Sequence, residues 1–371
     1  MASLRKSCLA LAGLAIITAV AASSSPYSYV NYSTVTGYFL QDLDSTDADT
    51  FDYTAVNFGL LNRTYDADRL DPFSNRLTQW ERFYRQVVYL NEISPANVEY
   101  KVLFMGRHGE GWHNAAEDYY GTPAWNCYWA ELDGNGTASW SDARLTDNGI
   151  AQAQTAHNFW QKEIDEQRIH TPDSYFVSPL FCTLQTAQIT FSGLRLPAGA
   201  AKFVPLIVEK LRENISIHTC DRRSNRTVIH DAFPDWPIEP GFTECDELWN
   251  GVTGETDSSE AVRSLEVLDQ IFAKEEGKDN GLFISITSHS GEIGSILSVL
   301  GHQPFSLNTG AVIPVLVKAE TIYRPSPTTS TQPWTTSPHC TVPPVTSVSA
   351  CLCPSSAAPV TTPLVPTSGC N

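Results

Sequence analysis

The sequence predicts an α/β fold, a three-layer α/β/α sandwich around a mostly parallel sheet, and three observations carry that expectation. "KVLFMG" (101–106) is a nearly unbroken apolar run, the pattern of a parallel strand buried on both faces. "GLFISITSHSGEIGSILSVLG" (281–301) reads as strand, turn and helix. Between these two segments, short apolar stretches alternate with amphipathic ones, which is the order of βαβ units. Loops at the carboxyl ends of the strands should then carry the site.

Taken in order, the chain opens with Arg5 and Lys6, then the apolar "CLALAGLAIITAV" (8–20) and small residues suited to cleavage near Ala21 or Ala22. Residues 1–22 therefore read as a secretory leader. The run is short for a membrane span, and no later segment is long enough for one. An extension over 23–98 includes "DPFSNRLTQWERFYRQVVYLN" (71–91), expected as a helix with Trp80, Phe83, Val87 and Leu90 inward. "LTDNGIAQAQTAHNFWQKEI" (145–164) repeats Ile150, Ala153, Ala156, Trp160 and Ile164 at helical spacing. "SYFVSPL" (174–180) is a short strand and "LQTAQITFSGL" (184–194) a helix. "KFVPLIVEKLRE" (202–213) holds a further strand or a helix start. "SSEAVRSLEVLDQIFAKEEG" (258–277) is an amphipathic helix stopped by Gly277. After Tyr323 the composition turns to Pro, Ser and Thr, so 324–371 is expected as a disordered, O-glycosylated stalk. Its four cysteines suit a small disulfide knot, attachment to a cell wall, or tail-to-tail linkage.

Composition bears on the expected compartment and on the expected partners. Five acceptor sequons begin at Asn31, Asn62, Asn135, Asn214 and Asn225, which agrees with secretion. Of nine cysteines, Cys8 leaves with the leader. Cys127, Cys182, Cys220 and Cys245 fall in the globular part, and Cys340, Cys351, Cys353 and Cys370 in the tail. Each set of four allows three pairings. A net charge of -17 argues against nucleic acid and against anionic membrane surfaces. It does not exclude a small anionic substrate met by a local cationic cluster.

Such a cluster is present at two strand ends. Arg107-His108-Gly109 follows the first strand, and Ser288-His289-Ser290-Gly291 follows the late one. In each, a glycine permits a tight turn, and a helix starting just after it aims free amides at the strand end, a geometry for an anion. Two histidines and an arginine there suit phosphoryl transfer: one imidazole attacks phosphorus, the arginine holds its oxygens, and a carboxylic acid protonates the departing alkoxide. A zinc reading with His108, His113 and His289 gives the arginine no task, so no metal is expected.

Five segments in order resemble the histidine phosphatase superfamily, in its phosphoglycerate mutase-like branch, and more narrowly the fungal secreted mutase-like phosphatases. They are "RHGEGWHN" (107–114), "LTDNGIAQA" (145–153), "SPLFCTLQTA" (178–187), "LRENISIHTCDRR" (211–223) and "ITSHSG" (286–291). The likeness runs from about Val35 to about Glu320. It implies a phosphoglycerate mutase-like fold and a catalytic domain over 23–323. It implies His108 as nucleophile, Arg107 and Asn114 at the phosphate, Glu213 as general acid and His289 as the second pocket histidine. No cofactor is implied.

One position departs: the family's second phosphate arginine falls on Cys182. Its charged hydrogen bonds are worth roughly 1.5–3 kcal/mol each, so the loss amounts to about two to four powers of ten in rate. Arg212, Arg222 or Arg223 is expected to compensate, or Cys182 to be disulfide-bonded in a repurposed site. Asn214 is expected to face outward while Glu213 faces in. The expectation is a secreted phosphomonoester hydrolase acting on a small phosphorylated substrate. A binding or wall protein on a weakened phosphatase scaffold and a mutase are the alternatives.

Overall fold

The computed structural model describes residues 28–273, 280–327, 330–346, 348–354, 358–359 and 362–366. The leader expected at 1–22 and the helix stop expected at Gly277 lie outside them. Strand β1 (Tyr29–Thr34) and helix α1 (Gln79–Ile93) precede β2 (Val98–Arg107). Helices α2 (Trp112–Tyr120), α3 (Thr122–Asn126) and α4 (Asp147–Lys162) lead to β3 (Ser174–Val177) and α5 (Phe181–Phe191). Next come β4 (Leu206–Ile207), α6 (Arg226–Ala232), α7 (Asp257–Phe272), β5 (Phe283–Ser288), α8 (Ser290–Val299) and β6 (Val312–Ile322). Two short tail strands, β7 (Pro338–His339) and β8 (Ala358–Pro359), pair antiparallel.

The main sheet runs β1-β6-β2-β5-β3-β4. Its pairs from β2 to β4 are parallel, and the two pairs made by β6 are antiparallel. The sheet is thus mixed, with a parallel half that carries the predicted strand ends. Alternation along each strand separates two cores. Leu103, Met105, Ile284, Ile286, Ile313 and Val315 face α7 and α8. Val102, Phe104, Phe283 and Leu316 face α1 and α4, where Trp80, Phe83 and Trp160 pack.

Helix α4 shows how a motif glycine sets a helix face. Thr146 caps it, its Oγ1 accepting from Gly149 N at 3.1 Å. Gly149 is buried with Ala153, Ala156 and Trp160, so the inner face runs through 149 rather than 150. Ile150, expected inward, is 44% exposed, because one residue turns the helix by about 100°. Among the described residues no helix is long and apolar enough to cross a membrane.

In place of a free stalk, the described tail residues lie on the domain. Cys127 is bonded to Cys351, and Cys340 to Cys353. The division of the cysteines into two self-contained sets is thereby corrected: among the described residues the Cys127–Cys351 bridge joins the globular part to the tail. Cys340 N donates to Cys127 O at 2.8 Å, Gly254 and Thr335 exchange backbone bonds, and His339 Nδ1 lies 2.6 Å from Glu131. Proline-rich backbone, short of donors, is here satisfied by domain groups and fixed by covalent bridges.

Candidate active site

Arg107 and Ser288 are register partners in the parallel pair β2–β5, so His108 and His289 leave the sheet side by side. Their rings lie 5.0 Å apart, and that of His113 is 5.1 Å from His108. Arg107, His108, Asn114, Glu213 and His289 all line one cavity of about 290 Å³, together with His113, Trp125, Cys182, His218, Cys220 and Asp221.

The motif residues tie the loops to one another. A Cβ on Gly109 would run into the carbonyl of Gly149, and one on Gly149 into that of Glu110. Gly109 N donates to Thr186 Oγ1 (2.9 Å), Glu110 N to Gln152 Oε1 (2.7 Å) and Leu145 N to Gln185 Oε1 (2.9 Å). The first three motif segments are therefore one hydrogen-bonded cradle beneath His108.

Inside it, His108 is buried, with Nδ1 2.7 Å from Gly109 O. A carbonyl only accepts, so Nδ1 carries the proton and Nε2 keeps its lone pair. Burial, with His113 and Arg107 nearby, holds the His108 pKa well below the usual imidazole range, so the ring is neutral. His289 is likewise neutral, by burial and by His108 and His113; its Nε2 lies 2.8 Å from Ser178 Oγ. His113 and His218 are pushed down to about 3 and about 4, again chiefly by burial.

Glu213 Oε1 accepts from Asn214 N (3.0 Å) and from Glu292 N (3.2 Å), an amide in the first turn of α8. A Cβ on Gly291 would collide with that oxygen, so this glycine admits the carboxyl to the helix end. Burial and then Asp221 raise the Glu213 pKa, favouring the protonated acid. Arg107 Nη1 donates to Leu307 O at 2.7 Å, while its buried Nε has no partner. Asn114 Oδ1 accepts from Gly111 N at 2.9 Å and so holds the start of α2 as well as the cavity wall.

The expected compensation for Cys182 is absent. Arg212 is fully buried in a two-pronged pair with Asp246 (2.8 and 2.7 Å) and a bond to Glu209 (2.8 Å). Arg222 faces a different surface cavity, bonded to Ser141 Oγ at 2.8 Å and paired with Asp133. Arg223 is held by Glu209 at 2.7 Å. Releasing an arginine from such a buried pair leaves a carboxylate uncompensated, a cost of roughly 3–5 kcal/mol. Among the described residues the cavity wall has one arginine, Arg107. Cys182 is not disulfide-bonded but a free, buried thiol beside His108 and His289. Asn214 does not face out either: its Nδ2 donates to Glu260 Oε2 at 2.8 Å, and the residue lines the cavity. Trp125 lines the cavity too, while Trp129 stacks on Tyr120.

Sequence reasoning gave no role to Ser178, His218 or Asp221. All three lie inside the quoted motif segments, so position within a motif was the available signal.

The comparisons follow the same lines. The model of the histidine phosphatase superfamily (branch 1) matches residues 128–310, beginning beyond the Arg107-His108-Gly109 turn. A probable phosphoglycerate mutase of Arthroderma benhamiae is 48% identical over 292 residues, 79% of this chain and 85% of that protein. Phosphomutase-like protein 3 of Candida albicans is 40% identical over 59% of this chain and 66% of its own length. A probable phosphoglycerate mutase of Saccharomyces cerevisiae is 32% identical over 70% of this chain and 90% of its own.

Proposed function

Because the chain belongs to the histidine phosphatase superfamily, we propose that it is a secreted phosphomonoester hydrolase working through a phosphohistidine on His108. The observation that carries this reading is the locked tautomer: Nδ1–H donates to Gly109 O, and Nε2 is left as a neutral nucleophile on the cavity that Glu213 also lines. Nε2 attacks phosphorus, and the ester P–O bond breaks. The leaving alkoxide takes the Glu213 proton. The Glu213 carboxylate then accepts a proton from water, whose oxygen attacks the phosphohistidine, and inorganic phosphate departs. Arg107, with Nε unpartnered, is the fixed charge for the phosphoryl oxygens. A dianion in the cavity raises the pKa of the neutral His289 and His113, since a neighbouring anion favours the charged imidazole.

Two observations favour other readings. The mutase names of the relatives favour transfer to a second substrate; the leader at 1–22 favours hydrolysis, because sugar-acid phosphates and their priming cofactor are intracellular. The uncompensated Cys182 favours a binding protein on a weakened scaffold, with the tail serving attachment to a wall.

Hydrolysis of an aryl phosphate by wild type, His108→Ala and Cys182→Arg separates them. Activity in wild type that His108→Ala abolishes supports the hydrolase. A dead wild type revived by Cys182→Arg supports the binding protein. Secretion is tested by recovery of the processed chain from the medium.

A further inference from the structure

The thiol that replaces the arginine has no task in the phosphatase reading, yet it stands among ligands. One atom each from His108, Cys182 and His289 falls within 4.8 Å of the other two, and all three side chains are buried. A thiolate with two imidazoles suits Zn²⁺ and similar thiophilic cations, and three protein ligands with a fourth position open to a cavity is the arrangement of an open zinc site. The supporting shell is in place. Gly109 O holds His108 Nδ1–H and so presents Nε2, and Ser178 Oγ holds the His289 ring. Arg107 opposes a dication, while the Asp221 carboxyl on the same wall offsets it. Tetrahedral zinc separates its ligand atoms by roughly 3.5 Å, so the ion would draw this set, within 4.8 Å of one another, together by up to about 1.3 Å.

We propose that the cavity binds Zn²⁺ through Cys182, His108 and His289, and that the bound ion shuts off phosphoryl transfer. On binding, the Cys182 thiol releases its proton to solvent and forms the Zn–S bond, and each imidazole donates one lone pair. His108 Nε2 cannot then attack phosphorus. The blocking half rests on the phosphatase reading, and the binding half does not.

The test titrates the full chain, disulfides intact, with Co²⁺ and then Zn²⁺. One equivalent of Co²⁺ should give a sulfur-to-cobalt charge-transfer band that Zn²⁺ removes. Cys182→Ser and Cys182→Ala should both lack the band, and Cys220→Ser should keep it. Zn²⁺ inhibition of aryl phosphate hydrolysis should weaken at least tenfold in Cys182→Ser. A wild type without the band overturns the proposal. So does a band that survives Cys182→Ser but disappears in Cys220→Ser, which would put the ion on the neighbouring His218, Cys220 and Asp221. The band in a wild type that is inactive even without added metal supports the site and sinks the hydrolase reading instead.

Discussion

Gly109 and Gly149 meet where neither has room for a Cβ. The histidine-bearing turn rests on the first turn of α4, and the two motif glycines are a matched pair. Gly149→Ala should therefore push the turn off its seat. Overpacking of this kind costs about 1–3 kcal/mol. The expected result is a lower melting temperature with a fall in kcat/KM, since His108 moves with the loop. An unchanged kcat/KM would mean that the cradle does not position the nucleophile.

Glu213 and His108 set opposite limbs of a pH profile. Burial and Asp221 raise the Glu213 pKa, and burial, His113 and Arg107 hold that of His108 down. Activity should be lost on the acid side as His108 protonates and on the alkaline side as Glu213 ionises. Glu213→Gln should lower kcat/KM for an alkyl phosphate by about 10²–10⁴. It should lower that for an aryl phosphate with a good leaving group much less, because a phenolate departs with little help. Equal losses on both substrates would remove Glu213 from the acid role.

His113 and Glu260 should tilt stability in opposite directions. The His113 pKa falls from 6.5 to about 3 on folding, so between those values the unfolded chain binds a proton that the folded one refuses. Wild type should lose stability relative to His113→Gln as pH falls through that window. The Glu260 pKa rises from 4.5 to about 7, chiefly by burial. Wild type should lose stability relative to Glu260→Gln as pH rises across 4.5 to 7. Melting curves of the three proteins from pH 4 to pH 7 check both signs.

Cys127 directly follows Asn126, which with Trp125 lines the cavity, and its bridge reaches across 224 residues to Cys351. Cys351→Ser should destabilise the fold by about 2–5 kcal/mol. It should also raise KM more than it lowers kcat, since α3 would lose its tether while β2 and β5 keep theirs. A fall in kcat alone would contradict that placement.

Periodicity and motif order determined much of this protein from sequence alone. The apolar runs at 101–106 and 283–287 became adjacent parallel strands, and the residues at their ends, Arg107, His108 and His289, came to one cavity with Asn114 and Glu213. The strand ends were legible because strand burial and tight turns are local and depend on residues a few positions apart; Asn114 and Glu213 were legible only through the motifs' resemblance to the family. The absence of an arginine at Cys182 was legible too, as a single letter. Its remedy was not. Arg212 adjoins Glu213 in the chain and Arg222 follows nine residues later, but charges pair by distance in space, and Asp246 and Asp133 reach them first. The bridge from Cys127 to Cys351, the inward turn of Asn214 to Glu260 and the exposure of Ile150 were decided in the same way. Each depends on which distant surface arrives opposite a residue, and only the packed chain sets that.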